Sequence, residues 1–512
     1  MESPHSIGVI ADTEFGAVRG SLDGSTNVWR GIRYAAPPVG ELRFRAPQPP
    51  SRSAAIIEAT EFGPRSPQPR SSVLLSRSAA ARLDEDCLTL NVWSPSGGAA
   101  RKPVLFWIHG GDNLQGAAHE HPFSGRSLAE RGDVVVVSVN YRLGILGFVD
   151  FSSFATREQP ADSNLGLRDV IAALEWVQGN IAQFGGDPNR VTIGGESSGG
   201  DIVTTLLAVP TAAGLFHRAI AQSPSADSVH TAEHAANVAS TVLAMLRVHP
   251  ASLQRLRETP PGALIAAAGR LVAATRLSEA TRSSDETRHF GGARFSAATS
   301  APTAARTPFA PVVDGTLVCE HPLTALQNGR AHRVPLLLGS NRDAATGIAA
   351  VISTSYEGHA SAHTMAHDRA ARMPPLAIAD AHSPFAPVWL YRFDYSPPVR
   401  KAFGSRAPRS SELPYLWGSL PRGPLPLLEA LATDSAARRL SARVQHRWLS
   451  FAKLGIPTHA VGEPVWNSYD EHRATMIFDA RDVLVNDLDA ALRADGDSEG
   501  NTARLPAGAT HR

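Results

Sequence analysis

The stretch "IGGESSGGD", residues 193–201, decides the fold. It holds Gly195, Glu196, Ser197, Ser198 and Gly199, a G-x-S-x-G. That pattern marks a serine nucleophile on a sharp strand-to-helix turn. The run "RVTIGG" (190–195) enters it as a strand, and "SGGDIVTTLLAV" (198–209) leaves it as a helix. The glycines at 195 and 199 permit the turn and let strand and helix pack closely. The serine oxygen then stands at a helix N-terminus, where backbone N–H groups favour developing negative charge. A bare G-x-S-x-G arises often by chance, but the strand–elbow–helix context lifts this one above a loop of no consequence. A serine hydroxyl is inert at neutral pH without a base beside it, so the reading of the site turns on that base.

Working outward, short apolar runs alternate with helical patterns. "CLTLNVW" (87–93), "PVLFWIH" (103–109), "DVVVVSVN" (133–140), "RAIAQS" (218–223), "VPLLLGS" (334–340) and "VWLYRFDY" (388–395) read as strands. Several are apolar on both faces, as parallel strands covered by helices would be. Between two of them Leu167, Val170, Ile171, Leu174, Val177 and Ile181 share one face at helical spacing. The alternation predicts an α/β fold with a mainly parallel central sheet and helices on both faces. Residues 1–487 are expected to form one domain. Residues 268–308, rich in Ala, Ser, Thr and Arg with little periodicity, are expected to be a mobile insertion, and 488–512 a disordered tail.

Composition narrows the functional classes. The 49 basic and 48 acidic side chains leave a net charge of +1, which argues against nucleic-acid or membrane-surface partners. Two cysteines make no disulfide framework. The first residues show no basic segment followed by an apolar core, and no apolar stretch is long enough to cross a bilayer. A cytoplasmic protein is expected. No cofactor or metal motif is read.

A second element lies in "FWIHGGDNLQG", 106–116. A strand running into His-Gly-Gly supplies a loop whose N–H groups can face a reacting carbonyl oxygen. Gly111 and Asp112, joined by Ser198, are the expected oxyanion donors. Asp112 is odd there, because an inward carboxylate would oppose an oxyanion. Its side chain is therefore expected to turn away. His109 is read as a packing residue at a strand end.

The sequence resembles the type-B carboxylesterases, the family of cholinesterases and bacterial p-nitrobenzyl esterases. The resemblance runs through "WRGIRYAAPPVGELRFRAP" (29–47), "EDCLTLNVW" (85–93), "NYRLGILGF" (140–148), "NIAQFGGDPNRVTIGGESSGG" (180–200), "FAPVVDG" (309–315), "GSNRD" (339–343), "YRFDY" (391–395) and "ELPYLWG" (412–418). It implies an α/β-hydrolase with a deep gorge leading to Ser197 and a Ser–Glu–His triad.

Two triad positions depart from the family. Its glutamate falls on Ala344 in "GSNRDAATG", and the neighbouring Asp343 is one residue early. Its histidine falls on Arg409 in "SRAPRSSELP". A guanidinium stays protonated throughout the working pH range and cannot act as a base. The nearest histidines in sequence, His382 and His446, read as packing or surface residues. The stretch between Ala344 and Tyr391 is shorter than is usual in the family, so part of the gorge wall is expected to be missing. Ser66 stands where many relatives carry a cysteine partner for Cys87.

The expectation is therefore a carboxylesterase-like hydrolase acting through Ser197 on a small ester, with marginal turnover and no inflection near pH 6.5 from a histidine base. The competing readings are a pseudo-esterase that binds an apolar ligand or a protein, and a non-hydrolytic enzyme using Asp112 or Asp201 as an acid–base group.

Overall fold

The computed structural model describes residues 8–69, 82–97, 100–120, 122–288, 307–343, 372–398, 401, 407–420 and 435–490. Its strands in chain order are β1 (Val9–Thr13), β2 (Gly16–Asp23), β3 (Thr26–Arg33), β4 (Ile57–Glu58), β5 (Thr89–Pro95), β6 (Lys102–Ile108), β7 (Val135–Val139), β8 (Gly186–Glu196), β9 (Arg218–Gln222), β10 (His230–Thr231), β11 (Val312–Val313), β12 (Leu336–Asn341), β13 (Val388–Phe393), β14 (Ala474–Phe478) and β15 (Val483–Asn486). Among the described residues one sheet runs in the order β1-β2-β3-β5-β7-β6-β8-β9-β12-β13-β14-β15, with β4 beside β2. From β7 to β14 every neighbouring pair is parallel. The flanks are antiparallel, β1 through β7 on one side and β15 on the other.

Alternation explains why the central strands read as continuous apolar runs. In β6, Val104, Phe106 and Ile108 enter one core cluster, while Leu105 and Trp107 enter a second. In β7, Val135, Val137 and Val139 join the first and Val136 the second. Successive side chains point to opposite faces, so both faces are covered. The first core takes in Val170, Leu174 and Val177 of the helix Leu165–Asn180 and Ile202, Val203 and Leu206 of Ser198–Leu207. The second takes in Leu128 of Arg126–Gly132 and Leu440, Val444 and Trp448 of Ser435–Leu454. Burying each such side chain contributes about 1.5–3 kcal/mol.

The chain goes from β6 to β7 on one side, then returns through Leu165–Asn180 to β8 on the other side of β6. The strand order therefore reverses around β6. In open α/β sheets ligands bind beyond the carboxyl ends of the strands at such a reversal. Ile108 lies level with Gly195 in the β6–β8 register. The two loops singled out in the sequence thus emerge side by side.

One expectation is corrected. Residues 268–288 continue the helix Pro261–Arg288 rather than forming irregular chain. Leu264, Ala267, Ala268 and Leu271 of its first turns are buried in the first core. The rest of the expected insertion, 289–306, and the tail from 491 lie outside the described residues. Among the described residues no helix is long and apolar enough to cross a membrane. Both cysteines are free. Cys87 is buried beside Ser66, and Cys319 is exposed.

Candidate active site

Ser197 sits between the last residue of β8 and the first turn of Ser198–Leu207, with φ 59° and ψ −128°. A non-glycine residue held at positive φ is strained, and the surroundings must over-determine it. Here they do so backbone to backbone. A Cβ on Gly199 would stand 2.3 Å from Ile108 O, and one on Gly195 would stand 2.4 Å from Gly199 O. Ser197 N donates to Gln222 O of β9 (2.9 Å), and Asp201 N donates to Ser197 O (3.0 Å).

The loop after β6 turns sharply through Gly111, Asp112 and Asn113, at φ 118°, 58° and 55°. Leu114 N and Gln115 N both donate to Gly111 O, and Asn113 N donates to Ser198 Oγ (3.2 Å). This last bond ties the loop to the elbow. Tyr141 Oη donates to His109 O (2.6 Å), and its ring stacks on the His109 ring at 4.5 Å. His109 is buried, donates from Nδ1 to Gly110 O (2.9 Å), and is pushed by burial down to about 4. It is therefore neutral and occupied in holding the loop. The Asp112 side chain is exposed, and among the described residues no hydrogen bond joins its carboxylate to the Ser197 hydroxyl.

On the opposite side, Asp343 N donates to Ala407 O (3.0 Å), which lays the chain after β12 against residues 407–412. Ala344 itself lies outside the described residues. Arg409 is brought to the site: its Nη2 donates to Ser223 O (2.9 Å), and its Nε lies 3.9 Å from Glu196 Oε1. Ser410 Oγ donates to the same Oε1 (2.7 Å). Behind them Glu412 is fully buried and accepts from Gln222 Nε2 (3.0 Å), while Gln222 Oε1 takes the Trp448 indole N–H (3.2 Å).

Two buried carboxylates therefore face one guanidinium. Burial first, and the Glu412 charge second, raise Glu196 well above the ordinary carboxylate range; Arg409 and Ser410 oppose that rise. Glu412 is raised by burial too, against hydrogen bonds and Arg409. Asp201 is pushed up to about 6 by burial, although its Oδ1 accepts from Ser225 N (2.5 Å). That bond pins the loop after β9 and gives Asp201 a structural task.

The histidines nearest in sequence are elsewhere. His382 is buried with Nε2 donating to Val334 O (2.9 Å). His446 is exposed, its Nε2 3.3 Å from Thr458 Oγ1. Among the described residues no imidazole hydrogen-bonds the Ser197 hydroxyl.

Comparison with known proteins decides the kinship. The carboxylesterase family model matches residues 8–372 and 359–490. The chain belongs to the carboxylesterase family. Its enzyme class is that of the carboxylic ester hydrolases. It is 35% identical to the para-nitrobenzyl esterase of Bacillus subtilis (strain 168), over 94% of this chain and 97% of that one. It is 31% identical to the phenmedipham hydrolase of Pseudarthrobacter oxydans, again over 94% and 97%. A solved thermophilic p-nitrobenzyl esterase superposes with a TM-score of 0.78 at 33% identity, covering 95% of this chain and 99% of that one. A Geobacillus stearothermophilus carboxylesterase gives 0.76 at 31%, with the same coverage.

Of the residues singled out in the sequence, Ser197, Ser198, the loop through Gly111 and Asp112, and Arg409 come together around the elbow. Sequence reasoning passed over Glu196, Gln222, Tyr141, Ser410 and Glu412. The signal for Glu196 was inside the opening motif: an acidic residue directly before the serine, at the buried end of a strand whose last residues before it are Ile193, Gly194 and Gly195. Glu412 likewise stood unremarked at the head of "ELPYLWG".

Proposed function

We propose that this carboxylesterase-family chain hydrolyses a small carboxylic ester by acylating Ser197, slowly, with the backbone N–H groups of Gly111, Asp112 and Ser198 stabilising the oxyanion. The observation that carries this reading is the elbow: a serine held at φ 59° between β8 and a helix, locked by glycine contacts at 195 and 199. Ser198 opens that helix, so its N–H has no intrahelical partner and is available to an oxygen anion. Arg409 at the family's histidine position supports the slowness. Loss of triad members leaves roughly 10³–10⁴ of acceleration over water from oxyanion donors and binding. The same substitution favours the second reading, a binding protein that no longer turns over. Its weakness is that binding alone does not require a serine at a strained φ.

A fluorophosphonate probe separates the two without knowledge of the substrate. Covalent labelling mapped to Ser197, lost in Ser197→Ala, supports acylation. An unlabelled, folded wild-type protein would sink it.

A further inference from the structure

Acylation of Ser197 needs somewhere for the hydroxyl proton to go. The charged groups at the site are Glu196, Glu412, Asp112, Asp201 and Arg409. Arg409 stays protonated. Asp201 holds Ser225 N. Glu412 holds Gln222 and lies behind Glu196. The Asp112 side chain is exposed.

Glu412 Oε2 is also without a hydrogen-bond partner among the described residues but is fully buried; Glu196 is set apart by where its free oxygen lies. It is 4% exposed, and Ser410 occupies only its Oε1. Oε2 has no hydrogen-bond partner among the described residues. A Cβ placed on Gly110 would stand 3.2 Å from Glu196 Oε2 and 3.0 Å from Ser197 Cβ. The free oxygen and the serine side chain therefore border the same notch, open only because residue 110 is glycine. Proton transfer needs donor and acceptor in direct contact or joined by one water; Glu196 Oε2 and Ser197 Cβ both lie within 3.2 Å of that one point.

We infer that Glu196 is the general base of this chain, standing in across the Gly110 notch for the imidazole that Arg409 displaced. The inference rests on the acylation of Ser197 proposed above. In acylation the Glu196 carboxylate takes the Ser197 hydroxyl proton as Oγ bonds to the ester carbonyl carbon, whose π pair moves onto oxygen. Collapse re-forms the carbonyl and breaks the bond to the alkoxy oxygen, which leaves with the proton from Glu196. In deacylation a water gives its proton to Glu196 as its oxygen bonds to the acyl carbon. The C–Oγ bond breaks and the proton passes to Oγ. Ester and water become acid and alcohol, and Glu196 ends as it began. The burial and neighbouring Glu412 that raise its proton affinity move it toward the working pH, where a general base is most effective. Asp112 adds to that rise, Arg409 and Ser410 oppose it, and Tyr391 is the remaining titratable group within its field.

The test is the rate of fluorophosphonate labelling of Ser197 against pH, in the full chain. The wild type is expected to show one inflection, well above the ordinary carboxylate value of about 4.3. Glu196→Gln is expected to cut the rate by roughly 10²–10⁴ and to flatten the profile. Glu196→Asp, which keeps a carboxylate, is expected to retain a slower rate with a displaced inflection; it carries the test if the glutamine variant does not fold. An unchanged inflection in either variant would show that Glu196 only supports the elbow, and would overturn the inference while leaving acylation standing. A wild-type serine that never labels would instead overturn the acylation reading, and the base with it.

Discussion

On one side of Ser197 the site is made of backbone. Ile108, His109 and Gly110 lie against Glu196 and Gly199 so closely that a single added carbon at 110 or 199 meets a carbonyl oxygen within 2.4 Å. On the other side, residues 407–412 reach the elbow through side chains: Arg409 to Ser223, Ser410 to Glu196, Glu412 to Gln222. The difference shows how one half can be kept and the other rewritten. Backbone contacts at a glycine-locked turn tolerate almost no change, since overpacking costs typically 1–3 kcal/mol per intrusion. Side chains from a loop can be exchanged provided their charges are met. Here Arg409 meets the charge of Glu196.

The largest expected effect breaks the backbone side at its centre. Ser197→Ala should abolish fluorophosphonate labelling altogether and reduce p-nitrophenyl ester hydrolysis to the level left by oxyanion donors and binding. Hydrolysis that survives undiminished would mean the elbow is an inherited shape without a task.

Next in size is the attempt to rebuild the side-chain half. Ala344→Glu together with Arg409→His should raise kcat/KM by about 10²–10⁴, the usual worth of positioned acid–base catalysis. Either change alone should give far less, because triad members act as a unit. In the double variant Glu196→Gln should lose most of its effect, since the proton has a new acceptor. If instead the double variant is no faster than wild type, the loop carrying Arg409 does not present its side chain to Ser197.

How much of this was legible in the sequence follows the same division. The seven apolar runs read as strands became β5–β9, β12 and β13, because burial on both faces leaves an unbroken hydrophobic signal. The outer strands β1–β3 of the antiparallel flank escaped. β2, "GAVRGSLD", is buried only at Val18 and Gly20, so its hydrophobic signal is thin. The helix Pro261–Arg288 was hidden because, after its first turns, alanine and arginine carry it by intrinsic propensity rather than by an apolar stripe. At the site, the elbow was visible because its motif is local. Glu196 lies within that motif and was yet unread, because its proton affinity depends on Glu412 and Arg409, more than 200 positions away in the chain.

Asp201 couples the stability of the fold to pH. Asp201 is held at about 6, above the roughly 3.9 of an unfolded aspartate. The native state therefore binds its proton more tightly than the unfolded state does. Stability from this group is fully present below about pH 3.9 and is lost as pH rises through 6. Asp201→Asn removes that dependence while keeping an oxygen for Ser225 N. The variant should gain about 2 kcal/mol over wild type on going from pH 4 to pH 8. Denaturant midpoints at the two pH values, with unchanged m-values, are the measurement. A constant difference across the range would mean that the Asp201 carboxylate ionises in the fold as it does in the unfolded chain.

The smallest effect tests the charge on the oxyanion loop. Asp112 lies in the turn expected to hold the oxyanion, and its negative field raises both Glu196 and Asp201. Because its side chain is exposed, that field is screened by water and salt. Asp112→Asn should stabilise a developing oxyanion by roughly 0.5–1 kcal/mol at low salt, a two- to fivefold rise in kcat/KM. The same change removes one of the pressures that raise Glu196, so its inflection should move to lower pH. The two effects act together at acidic pH, where more of Glu196 becomes ionised, and the gain should shrink toward the oxyanion contribution alone at alkaline pH. Added salt should erase the difference between variant and wild type. A loss of activity on Asp112→Asn, at any pH, would mean the carboxylate itself handles a proton, and would shift the base from the strand side of Ser197 to the oxyanion loop.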